Sequence, residues 1–415
     1  MGANNTHVTM GRRASHGDMP RMLQLGRCIC IYIHIYYARR ADSGLRLARK
    51  VEILVHLMAV SISSALLLLL NMAGALLAPR AQPGPASVAG DGGDGDGDVD
   101  FFFFPFLVLY KSGRVQRFMG TDTVPASTDP ATGVASRDVV IDAAAGLAVR
   151  LYLPSLPANV TVPLVVFYHG GAFVTESAFS PTYHRYLNAL VSKARVLAVS
   201  VEYHLAPEHR LPTAYDDAWA ALRWVIGNAR PGGAEPWLSR HADLSRLFLA
   251  GDSAGGNIAH NMAMRAGREG LDGGAAAIRG VALLDPYFWG KRPVPSETRD
   301  EAVRRWRERT WSFVSADHFG IDDPVINPVA MARSEWRRLP CERVLVTVAG
   351  LDELSARGRA YVQALRASGW RGEAQLYETP GEGHVYFLTK PESEKAAKEM
   401  EVIVEFINGG QVTSI

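Results

Sequence analysis

Ser253 stands in Gly251-Asp252-Ser253-Ala254-Gly255, after an apolar run, Leu247 to Ala250, and before Ile258, Ala259, Met262 and Ala263, which recur at helical spacing. A serine flanked by glycines where a strand turns into a helix is a candidate nucleophile. The turn is sharp, small neighbours let strand and helix pass close together, and the hydroxyl is left exposed at the edge of the sheet. The helix that starts there aims its N-terminal amides at any oxyanion formed on a substrate. The pattern by itself is weak, because glycine and serine are common in ordinary turns; the strand before and the helix after give it meaning. A serine hydroxyl becomes a nucleophile only when a base takes its proton, and the base needs an acid to hold its tautomer. Downstream, VLVTVAGLDEL places Asp352 just past an apolar run, and ETPGEGHVYF places His384 in a glycine-rich loop before the last helical pattern. Serine, aspartate and histidine thus follow in an order that a nucleophile, its orienting acid and its base adopt, each in a loop after a strand. Glu353 competes with Asp352, but an adjacent side chain points elsewhere. For the developing charge, the run Leu164–Tyr168 ends in His169-Gly170-Gly171-Ala172-Phe173. The amides of Gly170 and Gly171 are expected to form an oxyanion hole with that of Ala254. His169 reads as a structural loop residue, and an ordinary glycine turn is the plain alternative for the whole segment.

The elements that must position these residues are legible as alternating runs. Strands are expected at Asp138–Ile141, Leu147–Leu153, Pro163–Tyr168, Arg195–Val201, Gly280–Leu284, Arg343–Val348 and Ala374–Glu378. Helices are expected at Ala214–Ala229, after Ser253, and at Arg357–Ser368 and Glu392–Asn408. Several strands are apolar on both faces, as in a sheet covered by helices on each side. The alternation predicts an α/β fold, one doubly wound and mostly parallel sheet. FFFFPFLVLYKSGRVQRF reads as an apolar segment, a Lys-Ser-Gly turn and a short strand, and the Arg/Trp-rich stretch 296–320 as a lid or cap insertion.

Composition narrows the function. The 415 residues carry a net charge of +2, so no overall field points to nucleic acid. With three cysteines, Cys28, Cys30 and Cys341, there is no disulfide framework, and no Cys/His spacing reads as a metal site. Residues 1–52 read as a basic, disordered extension. Ile53 to Pro79 is apolar and long enough for a bilayer crossing. It reads as a signal anchor or a secretory segment, or as part of an extension that is not translated. Any membrane contact is expected only through residues 53–79. Residues 80–100, rich in Pro, Gly and Asp, read as a flexible linker, and the folded domain as 101–412.

HGGAF, VEYHLAPEHRLPTAYDD, GDSAGGNIAH, DPYFWG and GEGHVYF together resemble the plant carboxylesterase family, from about Phe101 to Phe406. That family belongs to the hormone-sensitive-lipase-like branch of the α/β-hydrolases. The resemblance implies an α/β-hydrolase fold: an eight-stranded, mostly parallel sheet with helices on both faces and a small helical cap, with cap elements near 101–125 and 290–320. It implies hydrolysis of short-acyl carboxylic esters through an acyl-enzyme, a small-molecule ester as partner, no metal and no cofactor, and a cytoplasmic catalytic domain. By matching position, Ser253, Asp352 and His384 form the triad, and Gly170, Gly171 and Ala254 the oxyanion hole. Two residues depart from the family pattern. Ala172 replaces a third glycine, and a methyl group there narrows the acyl side of the pocket. Ser355 replaces a second aspartate and is expected to cap the following helix. Two alternatives stand beside the esterase. The related gibberellin receptors keep the serine motif but lack the histidine, which is present here as His384. The isoflavanone dehydratases use the same triad for elimination.

Overall fold

The computed structural model describes residues 98–271 and 277–409. The expectations for residues 1–52, for Ile53–Pro79 and for nearly all of the linker lie outside them. Among the described residues no helix is long and apolar enough to cross a membrane.

In chain order the strands are β1 (Val99–Phe103), β2 (Leu107–Tyr110), β3 (Val115–Arg117), β4 (Ala135–Asp142), β5 (Leu147–Leu153), β6 (Val162–Tyr168), β7 (Leu197–Glu202), β8 (Ala242–Asp252), β9 (Ile278–Leu284), β10 (Arg343–Ala349) and β11 (Glu373–Thr379). The longer helices are α1 (Pro181–Ala194), α2 (Thr213–Asn228), α3 (Ala254–Glu269), α4 (Glu301–Ser315), α5 (Ser355–Ala367) and α6 (Glu394–Asn408). Eight strands form the main sheet in the order β11-β10-β9-β8-β6-β7-β5-β4. The pairs from β11 across to β7 are parallel, and β5 and β4 extend the sheet antiparallel at one edge.

Every residue of β6 is buried, and the two faces of the strand serve two cores. Leu164, Val166 and Tyr168 pack with Leu222 of α2, Ile258 and Met262 of α3, and Tyr361 of α5. Val165 and Phe167 face the other way, against Leu187 of α1 and Ile403 and Phe406 of α6. The period-two alternation of a strand, applied to a run with no polar member, therefore calls for a helical layer on each side. The long apolar runs of the sequence find their reason here.

Helix α1 is absent from the periodicity reading, although its start carries a legible signal. Ser180 caps it by accepting from the amide of Tyr183, and Pro181 occupies the first turn, where its missing N–H costs nothing. Its polar residues Thr182, His184 and Arg185 interrupt the apolar stripe and hide the period.

The segment expected to contribute to a helical cap forms instead a three-stranded antiparallel sheet, β1-β2-β3. The expected boundary at Phe101 falls inside β1. Phe101 and Phe103 point inward from this small sheet, and the Phe101 ring stacks on Phe313 of α4 with centroids 4.1 Å apart. Alternation along β1 accounts for the run of phenylalanines: Phe102 is exposed, and its neighbours on either side are buried. Arg117 then ties β3 to the loops after β6 and β7, donating to the carbonyls of Val174 (2.6 Å) and Ala206 (3.0 Å) while pairing with Glu208. The stretch 296–320 does contain a helix, α4, which starts on an Asp300 side chain that accepts from the amides of Ala302 and Val303.

Candidate active site

Ser253 occupies the single residue between β8 and α3, with φ 51° and ψ −116°. Left-handed backbone is rare for a residue with a Cβ, and such strain persists only where the surroundings impose it. They do so here through three main-chain bonds: its N–H donates to Leu284 O, and its carbonyl accepts from the amides of Asn257 and Tyr287. The flanking glycines are forced by contact. A Cβ on Gly255 would stand 1.9 Å from Tyr168 O, so the helix packs directly on the backbone of β6.

The three residues expected to act together are brought together. His384 Nε2 lies 2.8 Å from Ser253 Oγ, and His384 Nδ1 lies 2.7 Å from Asp352 Oδ2. The serine hydroxyl thus donates to one ring nitrogen, and the other ring nitrogen donates to the carboxylate. The second oxygen of Asp352 accepts from the amide of Leu354 at 2.9 Å, which fixes the carboxylate in the loop after β10. Glu353, the competitor, turns away and pairs with Arg307 of α4 at 2.8 Å. Desolvation disfavours the charged form of His384, but the carboxylates of Asp352 and Asp285 outweigh it. Although Arg307 opposes them, the imidazole pKa is raised above its ordinary value.

The loop after β6 departs from expectation at one amide. The N–H of Gly170 donates to Tyr183 Oη at 2.7 Å and to Asp252 Oδ1 at 3.1 Å, both inside the protein. It is therefore committed and does not point to a reacting carbonyl. The amides of Gly171, Ala172 and Ala254 have no hydrogen-bond partner among the described residues. The amide of Ala172, not expected as a donor from the sequence, is free where that of Gly170 is not. Gly171 has φ 99°, and a Cβ on it would meet Thr175 O at 2.2 Å, so glycine is required there. Ala172 follows with φ 54° and Phe173 with φ 64°, conformations that a glycine would adopt without strain. His169 is fully buried with its Nδ1 2.8 Å from Gly170 O, and burial lowers its pKa to about 4, so it remains neutral.

Sequence reasoning gave no role to Asp252 or Tyr183. Burial raises the Asp252 carboxyl to about 7, even though the Tyr183 hydroxyl, donating at 2.8 Å, favours its ionised form. Together they brace the loop that carries the free amides against the turn that carries Ser253. Replacing Tyr183 by phenylalanine should leave Asp252 short of a donor and cost about 1–3 kcal/mol. A denaturant midpoint reads this, and an unchanged midpoint would show that the brace does not exist. Ser355 also differs from expectation: Leu354 is the cap residue of α5, and the Ser355 hydroxyl donates instead to Asp352 O at 2.6 Å. A serine one position inside the helix start cannot cap it, but it steadies the acid's loop.

A doubly wound sheet with a strained serine at the sharp turn after β8, and an acid and a histidine in loops after β10 and β11, defines an α/β hydrolase. Residues 165–388 match the family model described as alpha/beta hydrolase fold. A probable carboxylesterase 13 of Arabidopsis thaliana is 46% identical over 317 residues, covering 74% of this chain and 96% of its own. A 2-hydroxyisoflavanone dehydratase of Glycyrrhiza echinata is 45% identical over 311 residues, covering 73% and 94%. Among solved structures, a Rhizomucor miehei esterase is 26% identical with a TM-score of 0.55, covering 68% of this chain and 85% of that one. The chain belongs to the plant carboxylesterase family of α/β hydrolases.

Proposed function

We propose that this protein is a serine carboxylesterase that hydrolyses short-acyl esters through an acyl-enzyme. The observation that carries this reading is the unbroken line from Ser253 Oγ to His384 Nε2 (2.8 Å) and from His384 Nδ1 to Asp352 Oδ2 (2.7 Å). Ser253 attacks the ester carbonyl as His384 takes its proton. Asp352 orients the ring and stabilises the imidazolium. The amides of Gly171, Ala172 and Ala254 receive the oxyanion, and fixed donors of this kind supply the largest single share of such catalysis. His384 then passes its proton to the departing alkoxide, and water, activated by the same histidine, releases the acid. No step calls for a metal ion or a cofactor.

The full-length protein should hydrolyse p-nitrophenyl acetate and butyrate, with kcat/KM falling as the acyl chain lengthens past the room left beside Ala172. Absence of turnover on the whole series would sink the esterase reading. The similarity to the Glycyrrhiza dehydratase favours one second reading, elimination of water from a 2-hydroxyisoflavanone with His384 as base. Elimination that clearly outpaces ester cleavage would reverse the assignment.

A further inference from the structure

Asp285 lies at the end of β9, outside the serine, acid and base, yet its carboxylate touches the loops of two of them. It is 2% exposed and holds φ 44°, a left-handed conformation that an aspartate tolerates but does not prefer. Its own N–H donates to Thr347 O of β10 at 3.0 Å, which locks the strained turn in place. One carboxylate oxygen accepts from the amide of Ala349 at 2.8 Å, three residues before Asp352. The other accepts from the amide of Val385 at 2.7 Å, the residue after His384. Val385 itself has φ 47°, so the chain leaves His384 through a second constrained turn held by the same carboxylate. An oxygen of Asp285, an oxygen of Asp352 and a ring nitrogen of His384 all lie within 4.8 Å of one another. Strain of this kind, buried and tied from both sides, is what functional positions retain.

We propose that Asp285 is a positioning residue that ties the loop of the acid to the loop of the base and so sets the approach of His384 to Ser253. The inference rests on the roles proposed above for Ser253, Asp352 and His384. It follows from reach: β9 lies beside β10 in the sheet, and β10 beside β11. A side chain at the end of β9 thus reaches past the end of β10 and bonds to Ala349 and Val385 at once. The charged groups that act on His384 are Asp352 from the loop after β10, Asp285 from the end of β9, Arg307 from α4 and Asp252 from the end of β8; Glu399 of α6 acts in turn on Asp285. Burial pushes the Asp285 carboxyl well above its ordinary range, while His384 and the Val385 amide favour its ionised form. In that form it raises the His384 pKa alongside Asp352, so removing its carboxylate lowers that pKa.

The test is Asp285→Asn in the full-length protein, assayed on p-nitrophenyl butyrate across pH. Asparagine keeps the shape and the left-handed backbone, but its amide nitrogen meets one of the two N–H groups and breaks one tether. The expected result is a kcat lower by on the order of 10²-fold, the effect of a misplaced catalytic group, with KM within about twofold of wild type. Because the neutral imidazole is the working base, the acid limb of kcat/KM should move to lower pH. Asp285→Ala, which loses both tethers, should fall further, and active-site titration with an organophosphonate counts the folded sites in each variant. A kcat within about twofold of wild type with an unmoved acid limb overturns the proposal. So does a loss that only tracks the fraction of titratable sites, which would make Asp285 a scaffold residue and nothing more. Failure of the underlying esterase reading looks different, since the wild type itself would then lack turnover on p-nitrophenyl esters, or Ser253→Ala would keep it, whatever Asp285 does.

Discussion

Replacing Ser253 with alanine is expected to reduce kcat on p-nitrophenyl butyrate by about 10⁶-fold, the scale of a lost nucleophile in serine hydrolases. The hydroxyl is the only atom removed, and the turn that holds it is fixed by main-chain bonds from its N–H and carbonyl. The fold should therefore survive with little change in thermal midpoint, which separates a chemical loss from a structural one. His384→Ala should cost a comparable factor, because a serine without its base is no better than none. The double variant should be no slower than either single one, since residues acting as one unit do not contribute independently. Residual turnover should remain on the order of 10³–10⁴ above water, from the amides of Gly171, Ala172 and Ala254 alone. Wild-type activity in Ser253→Ala would remove the mechanism outright. Additive losses in the double variant would instead mean that His384 acts on something other than Ser253.

The second large effect is on folding, at Gly255. A Cβ there would sit 1.9 Å from Tyr168 O and 2.7 Å from His169 O, both of them backbone. Neither can move cheaply: Tyr168 ends β6, which pairs with β7 on one side and β8 on the other. The helix would have to lift off the sheet, carrying Ser253 and the amide of Ala254 with it. Gly255→Ala is therefore expected to destabilise by more than about 4 kcal/mol, in the range that marks a specific steric cause, and to abolish turnover in whatever folds. Gly256→Ala is the control one residue away. Its Cβ would meet Gly251 O at 3.1 Å and Pro286 at 3.2 Å, contacts that yield with a small shift. Alanine is also the better helix former by about 1 kcal/mol, so its midpoint should stay within about 1 kcal/mol of wild type. Equal urea midpoints for the two variants would show that the close approach at Gly255 is not what holds the turn.

Much of this was legible in the linear sequence because it depends on local pattern. The strand Leu147–Leu153 is read to the residue, and the elbow around Ser253 shows itself as an apolar run, two spaced glycines and a helical period, all within twenty or so positions. The order of Ser253, Asp352 and His384 is likewise readable, since each follows a recognisable strand. Where the pattern was confounded, the reading failed. The phenylalanines of β1 look uniformly apolar, so only the exposed face of Phe102 against the buried Phe101 and Phe103 reveals a strand rather than part of a helical cap. The polar residues that break the stripe of α1 hide a helix that its cap announces.

The tertiary structure alone decided which groups are free to act. Gly170 and Gly171 are indistinguishable in sequence, yet the amide of the first is taken by Asp252, 82 positions further along, and by Tyr183. The amide of Ala172 is left without a partner among the described residues, and Asp285 meets Val385 across 100 residues. A residue's type and spacing determine what it can do. Its partners at long range, set by which strands lie side by side, determine which lone pairs and N–H groups remain available to do it.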